Sequence, residues 1–174
     1  MLRLPPALHA QLSASARKRG QSLNEHCVRS LARAEAVDPG RFGDVMAAAI
    51  EQLGPELVAV AIFGSYARGE AGASSDVDIL LVVRSGLEVT RSLYAPWDGV
   101  DRVIDGHRVE PHFVQMRASP DPISGFWAEI ALDGIIVYDP DHELSRELIR
   151  IRQEILSGRL VRRSAGGHSW WTAA

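Results

Sequence analysis

Apolar residues recur along this chain in two periods. In RFGDVMAAAIEQL (41–53), Phe42, Val45, Met46, Ala49, Ile50 and Leu53 fall on one face, which predicts an amphipathic helix stopped by Gly54-Pro55. ELVAVAIFGS reads as a buried strand ending at Gly64-Ser65. SYARGEAG is a short helical turn into the small-residue loop AGASS, and DVDILLVV is a second buried strand. HRVEPHFVQ (107–115) alternates, with Val109 and Phe113 facing the core and Arg108, Glu110 and His112 facing away. Pro111 cannot donate to a ladder, so it demands an edge or a bulge. Asp105-Gly106 reads as a turn. Downstream, SGFWAEIAL predicts an amphipathic helix, Asp133-Gly134 a turn, and IIVYD a closing strand. HELSRELIRIRQEIL is a final helix with Leu144, Leu148, Ile151 and Ile155 inward. The tail GRLVRRSAGGHSWW is expected to be a loose or partner-docked terminus.

The N-terminal pattern is different. LRLP (2–5) alternates, placing Leu2 and Leu4 on one face and Arg3 on the other, and Pro5-Pro6 suits a helix start. A helix over about 6–19 ends in cations, with Gly20 where a left-handed cap belongs. A second helix opens with the Ser22-x-x-Glu25 capping box and carries Leu23, Cys27, Leu31 and Ala34 as its stripe. VDPG (37–40) punctuates the join.

Charge divides at the same place. The net charge is −3, but residues 1–36 hold six Lys/Arg against two Glu, whereas residues 37–174 hold thirteen Arg against twenty Asp/Glu. A basic module therefore precedes an acidic one. With 46% hydrophobic and 24% charged residues the composition is that of a soluble globular protein. The runs LVAVAIF and ILLVV fall far short of a membrane span, and no signal-length apolar core opens the sequence. A cytoplasmic protein is expected, and the single Cys27 permits no internal disulfide.

The chemistry concentrates in FGSYARGEAGASSDVDILLVV (63–83). Residues i and i+2 of a strand share a face, so Asp76 and Asp78 can coordinate Mg²⁺ that also holds nucleotide phosphates. Gly64 permits close backbone approach to a phosphate, and Ser65 with the helix start supplies donors. Arg68 touches phosphate or pairs with Glu70. Gly64, Ser65, Arg68, Gly69, Glu70, Ser75, Asp76 and Asp78 stand in the order of the nucleotidyltransferase superfamily, and the stretch most closely resembles its minimal, single-domain branch. The ALDGIIVYD passage extends the likeness over about 41–140. The resemblance implies Mg²⁺ as cofactor, ATP as substrate, and Gly64, Ser65, Arg68 and Ser75 at the nucleotide. It also implies a third carboxylate on a later strand, where Glu110 stands, although the usual residue is Asp. Asp76, Asp78 and Glu110 are thus the expected catalytic and metal-binding set. His112 is read as a surface or site-rim imidazole, not a base.

Residues 1–36 resemble the ribbon-helix-helix family in LRLPPALHAQL and RGQSLNEHCVRSL. This resemblance implies a homodimer whose paired strands enter the DNA major groove. Arg3 would face the bases, and Ser22 and Asn24 would hold a phosphate. The expected architecture is α+β: a ribbon-helix-helix module (1–36), a nucleotidyltransferase domain with a mixed sheet and flanking helices (41–140), and a C-terminal helix and tail (141–174). Minimal nucleotidyltransferases commonly adenylylate a partner toxin, so the combined expectation is an autoregulating antitoxin enzyme. The alternative is an antitoxin or repressor whose nucleotidyltransferase fold has lost its chemistry.

Overall fold

A computed structural model describes residues 5–18, 22–28, 39–118, 121–165 and 168–173. The chain divides into two compact units, Met1–Asp38 and Pro39–Ala174.

In the first unit, helix α1 spans Pro6–Lys18 and helix α2 covers 23–28. Pro6 opens α1 at a position where no intrahelical N–H is needed, and the Pro5 carbonyl accepts from His9 N–H. The capping box forms in both directions: Glu25 N–H donates to Ser22 Oγ at 3.2 Å, and Ser22 N–H donates to Glu25 Oε2 at 2.9 Å. Ala16 and His26 are buried. The expected strand at Leu2–Leu4 with Arg3, the cap at Gly20, and Leu31 and Ala34 lie outside the described residues.

The second unit is a five-stranded mixed sheet covered on both faces. After a 3-10 turn at Pro39–Phe42 come α3 (Gly43–Leu53), β1 (Leu57–Phe63), α4 (Gly64–Arg68) and β2 (Val77–Val83). Then follow β3 (Val103–Ile104), β4 (His107–Gln115), α5 (Gly125–Asp133), β5 (Ile135–Tyr138) and α6 (Glu143–Leu156). The strand order is β3-β4-β2-β1-β5, with β2 and β4 parallel and the other pairs antiparallel. Val60, Ile62, Ile79 and Leu81 pack against Phe42, Val45, Ala49 and Leu53 on one face. Ala59, Ala61, Leu80 and Val82 meet α5 and α6 on the other. Leu144, Leu148 and Ile151 of α6 are fully buried, each contributing roughly 1.5–3 kcal/mol of transfer free energy. Among the described residues no helix is long and apolar enough to cross a membrane.

Three details depart from or refine the sequence reading. Ile50 is 46% exposed, because the stripe of α3 is centred on Val45 and Ala49 and Ile50 lies one residue, about 100° of helix rotation, beyond Ala49. Pro111 occupies an edge, without a bulge: the β2–β4 register runs unbroken through Ile79↔Pro111, and β3 pairs only with His107 and Arg108. The Val109 N–H donates to the Arg102 carbonyl and the Phe113 N–H to Tyr94 Oη. Odd-numbered amides of β4 therefore point outward, and a proline at 111 removes no β2–β4 ladder bond.

The tail differs most. Leu160–Ala165 (β6) and His168–Ala173 (β7) form an antiparallel hairpin, where a loose or partner-docked terminus is expected from the sequence. Its signals were the Gly166-Gly167 pair between two extended runs and an apolar Trp at the docking position. Trp171 Nε1–H donates to Glu129 Oε1 on α5 at 2.8 Å, Arg162 reaches the same carboxylate at 3.3 Å, and Leu160 is buried.

Candidate functional site

The parallel register sets Asp78 of β2 beside Glu110 of β4, and strand alternation carries His112 to the same face. Donor atoms of these three side chains all lie within 4.8 Å of one another. His112 Nε2 is 3.1 Å from Asp78 Oδ1. The imidazole is held edge-to-face by Phe63, with ring centroids 5.0 Å apart, and Phe63 is itself the ladder partner of Asp78 across β1–β2. Two carboxylates and an imidazole converging at the end of a buried sheet are a donor set that fits a divalent cation.

Gly64 follows Phe63 with φ +71°, and a Cβ built there would stand 2.1 Å from Asp78 Oδ2. Only glycine satisfies both the left-handed backbone and the carboxylate that fills the space a side chain would need. The glycine of the Gly-Ser pair thus positions Asp78. From Gly64 the chain turns through α4, which Gly69 closes at φ +69° as its N–H reaches the Ser65 and Tyr66 carbonyls.

Asp76 stands exposed just ahead of β2, outside the three-donor group. It lines an open cavity of about 470 Å³ with Glu110, His112, Arg108 and Tyr94. Arg68 Nε–H donates to Glu70 Oε2 at 2.7 Å; that hydrogen bond raises its pKa further, against a smaller burial effect. Ser75 Oγ accepts from Gly72 N–H at 3.0 Å, closing the loop before β2, while its carbonyl contacts His107 Nδ1 at 2.8 Å. Ser65 is half-buried within α4. In the first unit the Ser22 hydroxyl is engaged by Glu25, Asn24 is exposed, and Arg3 lies outside the described residues.

Two contacts near the centre could not be read from the sequence. His112 was placed on the correct face but set aside, because alternation alone cannot give its distance to Asp78 across the sheet. Tyr66 donates to Asp105 Oδ2 at 2.5 Å, and Arg41 meets the same oxygen at 3.0 Å. Burial first, then the bond to Asp105, pushes the Tyr66 phenol up to about 12. Asp105 itself, at φ +52° before Gly106 at φ +83°, forms the expected turn between β3 and β4.

Residues 45–127 match the family model of the nucleotidyltransferase domain, a segment containing Gly64, Asp76, Asp78, Glu110 and His112, and residues 1–31 match that of the HicB family. No curated protein matches the chain. Among solved structures the chain is similar to a toxin–antitoxin crystallised with AMP-PNP, at 16% identity and a TM-score of 0.42, over 70% of this chain and 92% of that one. It is also similar to two mutant forms of the MntA–HpeT toxin–antitoxin. These have 14% and 16% identity and TM-scores of 0.40 and 0.39, over 67% of this chain and 90% and 91% of theirs.

Proposed function

We propose that the second unit is a Mg²⁺-dependent nucleotidyltransferase that moves AMP from ATP to a hydroxyl of a partner toxin, and that residues 1–36 form a dimeric DNA-binding module for autoregulation. The observation that carries the enzymatic reading is the side-by-side placement of Asp78 and Glu110 against Gly64, within a segment matching the nucleotidyltransferase domain. Asp78 and Glu110, with Asp76 at the cavity wall, would hold the cation, which would supply charge neutralisation at the α-phosphate. The acceptor oxygen bonds to that phosphorus, the bond to the bridging oxygen breaks, pyrophosphate leaves, and Glu110 takes the hydroxyl proton. Gly64, Ser65, Arg68 and Ser75 border the phosphates. Arg3, Ser22 and Asn24 are the proposed DNA contacts, supported by the basic balance of residues 1–36.

A second reading, an inactive nucleotidyltransferase-fold repressor, is favoured by one contact: His112 already occupies Asp78 Oδ1. Incubation with α-labelled ATP, Mg²⁺ and the products of adjacent genes separates the two. Label on a partner supports the enzyme. No transfer to any of them, with salt-dependent promoter binding intact, supports the repressor.

A further inference from the structure

We infer that His112 makes this a mixed nitrogen–oxygen metal site that selects a first-row transition ion such as Mn²⁺ over Mg²⁺. The inference rests on Asp78 and Glu110 being cation ligands, as proposed above; it adds the third donor and puts Mn²⁺ ahead of the Mg²⁺ of that reading.

The geometry supports the donor role in three ways. His112 Nε2 and Asp78 Oδ1 are 3.1 Å apart, and two ligands each about 2.1 Å from one octahedral ion stand about 3 Å from each other. The imidazole is fixed against Phe63, so its orientation is set before an ion arrives. The His112 and Asp78 side chains are 35% and 26% exposed, so the donors are reachable from solvent.

Donor chemistry sets the preference. Mg²⁺ favours oxygen ligands and gives up its water reluctantly, whereas imidazole suits the transition ions and carboxylate still suits Mn²⁺. One nitrogen among the donors therefore costs Mg²⁺ a favourable ligand and gives Mn²⁺ an additional one. If His112 served only as a charge partner of Asp78, the opposite would hold: its removal would free a carboxylate oxygen, and affinity for either ion would stay level or rise.

The test uses the full chain without nucleotide. Binding is followed by loss of the aqueous Mn²⁺ electron paramagnetic resonance signal, with Mg²⁺ as competitor. The parent is expected to bind Mn²⁺ at least about tenfold more tightly than Mg²⁺. His112→Ala and the bulkier His112→Gln should lose about tenfold or more in Mn²⁺ affinity while Mg²⁺ affinity changes by less than about twofold. His112→Asp, an all-oxygen set, should bind Mg²⁺ more tightly than the parent. Equal affinities in the parent, or a preference that survives in a folded His112→Gln, overturn the inference. Nucleotide transfer is scored separately. Histidine-dependent Mn²⁺ selectivity without transfer sinks the enzymatic reading alone, and transfer with histidine-independent binding sinks this inference alone.

Discussion

Two charged clusters in the second unit share a partly buried setting and differ in their balance. Glu147 on α6, with a side chain only 9% exposed, lies between Arg117 at 2.7 Å and Arg150 at 2.8 Å. Burial would raise its pKa, but hydrogen bonds from Arg150 and then Arg117 outweigh it and hold the carboxyl below the usual range. Among the described residues, the close partner around Asp78 and Glu110 is a single imidazole, on Asp78. A carboxylate neutralised twice over by guanidinium groups holds a helix to a loop. Two carboxylates facing one imidazole leave negative charge that an incoming cation can complete.

This contrast is open to direct attack. Glu147→Gln leaves two guanidiniums facing a neutral amide, and chemical denaturation should show a loss of about 3 kcal/mol. Because the folded pKa of Glu147 is depressed, its contribution is present above the unfolded value near 4.5 and is lost as pH falls through the folded value. The acid limb of the stability profile should be shallower in the variant. Asp78→Asn should do the reverse, leaving the free protein within about 0.5 kcal/mol of the parent or more stable. It should also abolish the stabilisation by Mg²⁺–ATP, which amounts to about 2.7 kcal/mol at a hundredfold excess over Kd. Thermal melts with and without Mg²⁺–ATP measure both, and a variant that melts early but keeps its nucleotide response would assign Asp78 to the fold.

Gly64→Ala sharpens the boundary between the two kinds of role. Positive φ and the collision with Asp78 Oδ2 should cost about 1–3 kcal/mol and displace the carboxylate, so that nucleotide response falls together with stability. The smallest effect is expected at Tyr66. Its phenol is raised to about 12 in the folded state from 10.0, so its contribution is complete below pH 10 and is lost as pH rises through about 12. Tyr66→Phe should flatten that alkaline decline in a urea-denaturation series.

Legibility in the sequence followed the range of the interaction concerned. β1 and β2 were visible because buried strands are continuous apolar runs, and the face of Glu110 because alternation is local. His112 was undervalued because its partner lies across a parallel pair, 34 residues away. Residues 84–102 hold no period to read. Trp97 is buried there by bonding Gln52 and packing on Phe113, contacts 45 and 16 residues distant in the chain. The hairpin β6–β7 was missed because two tryptophans in a basic tail look like an unfinished surface until Glu129 and α5 are there to receive one of them.

The outer margin of β4 runs beside the candidate centre. Among the described residues no strand covers it beyond Arg108, yet Val109 and Phe113 have their outward amides engaged and Pro111 has none to offer. A foreign extended segment seeking main-chain partners finds no free donor along those five residues, so the margin resists the edge-to-edge association to which open strands are prone. The approach to Glu110 can remain open to solvent without becoming a template for self-assembly.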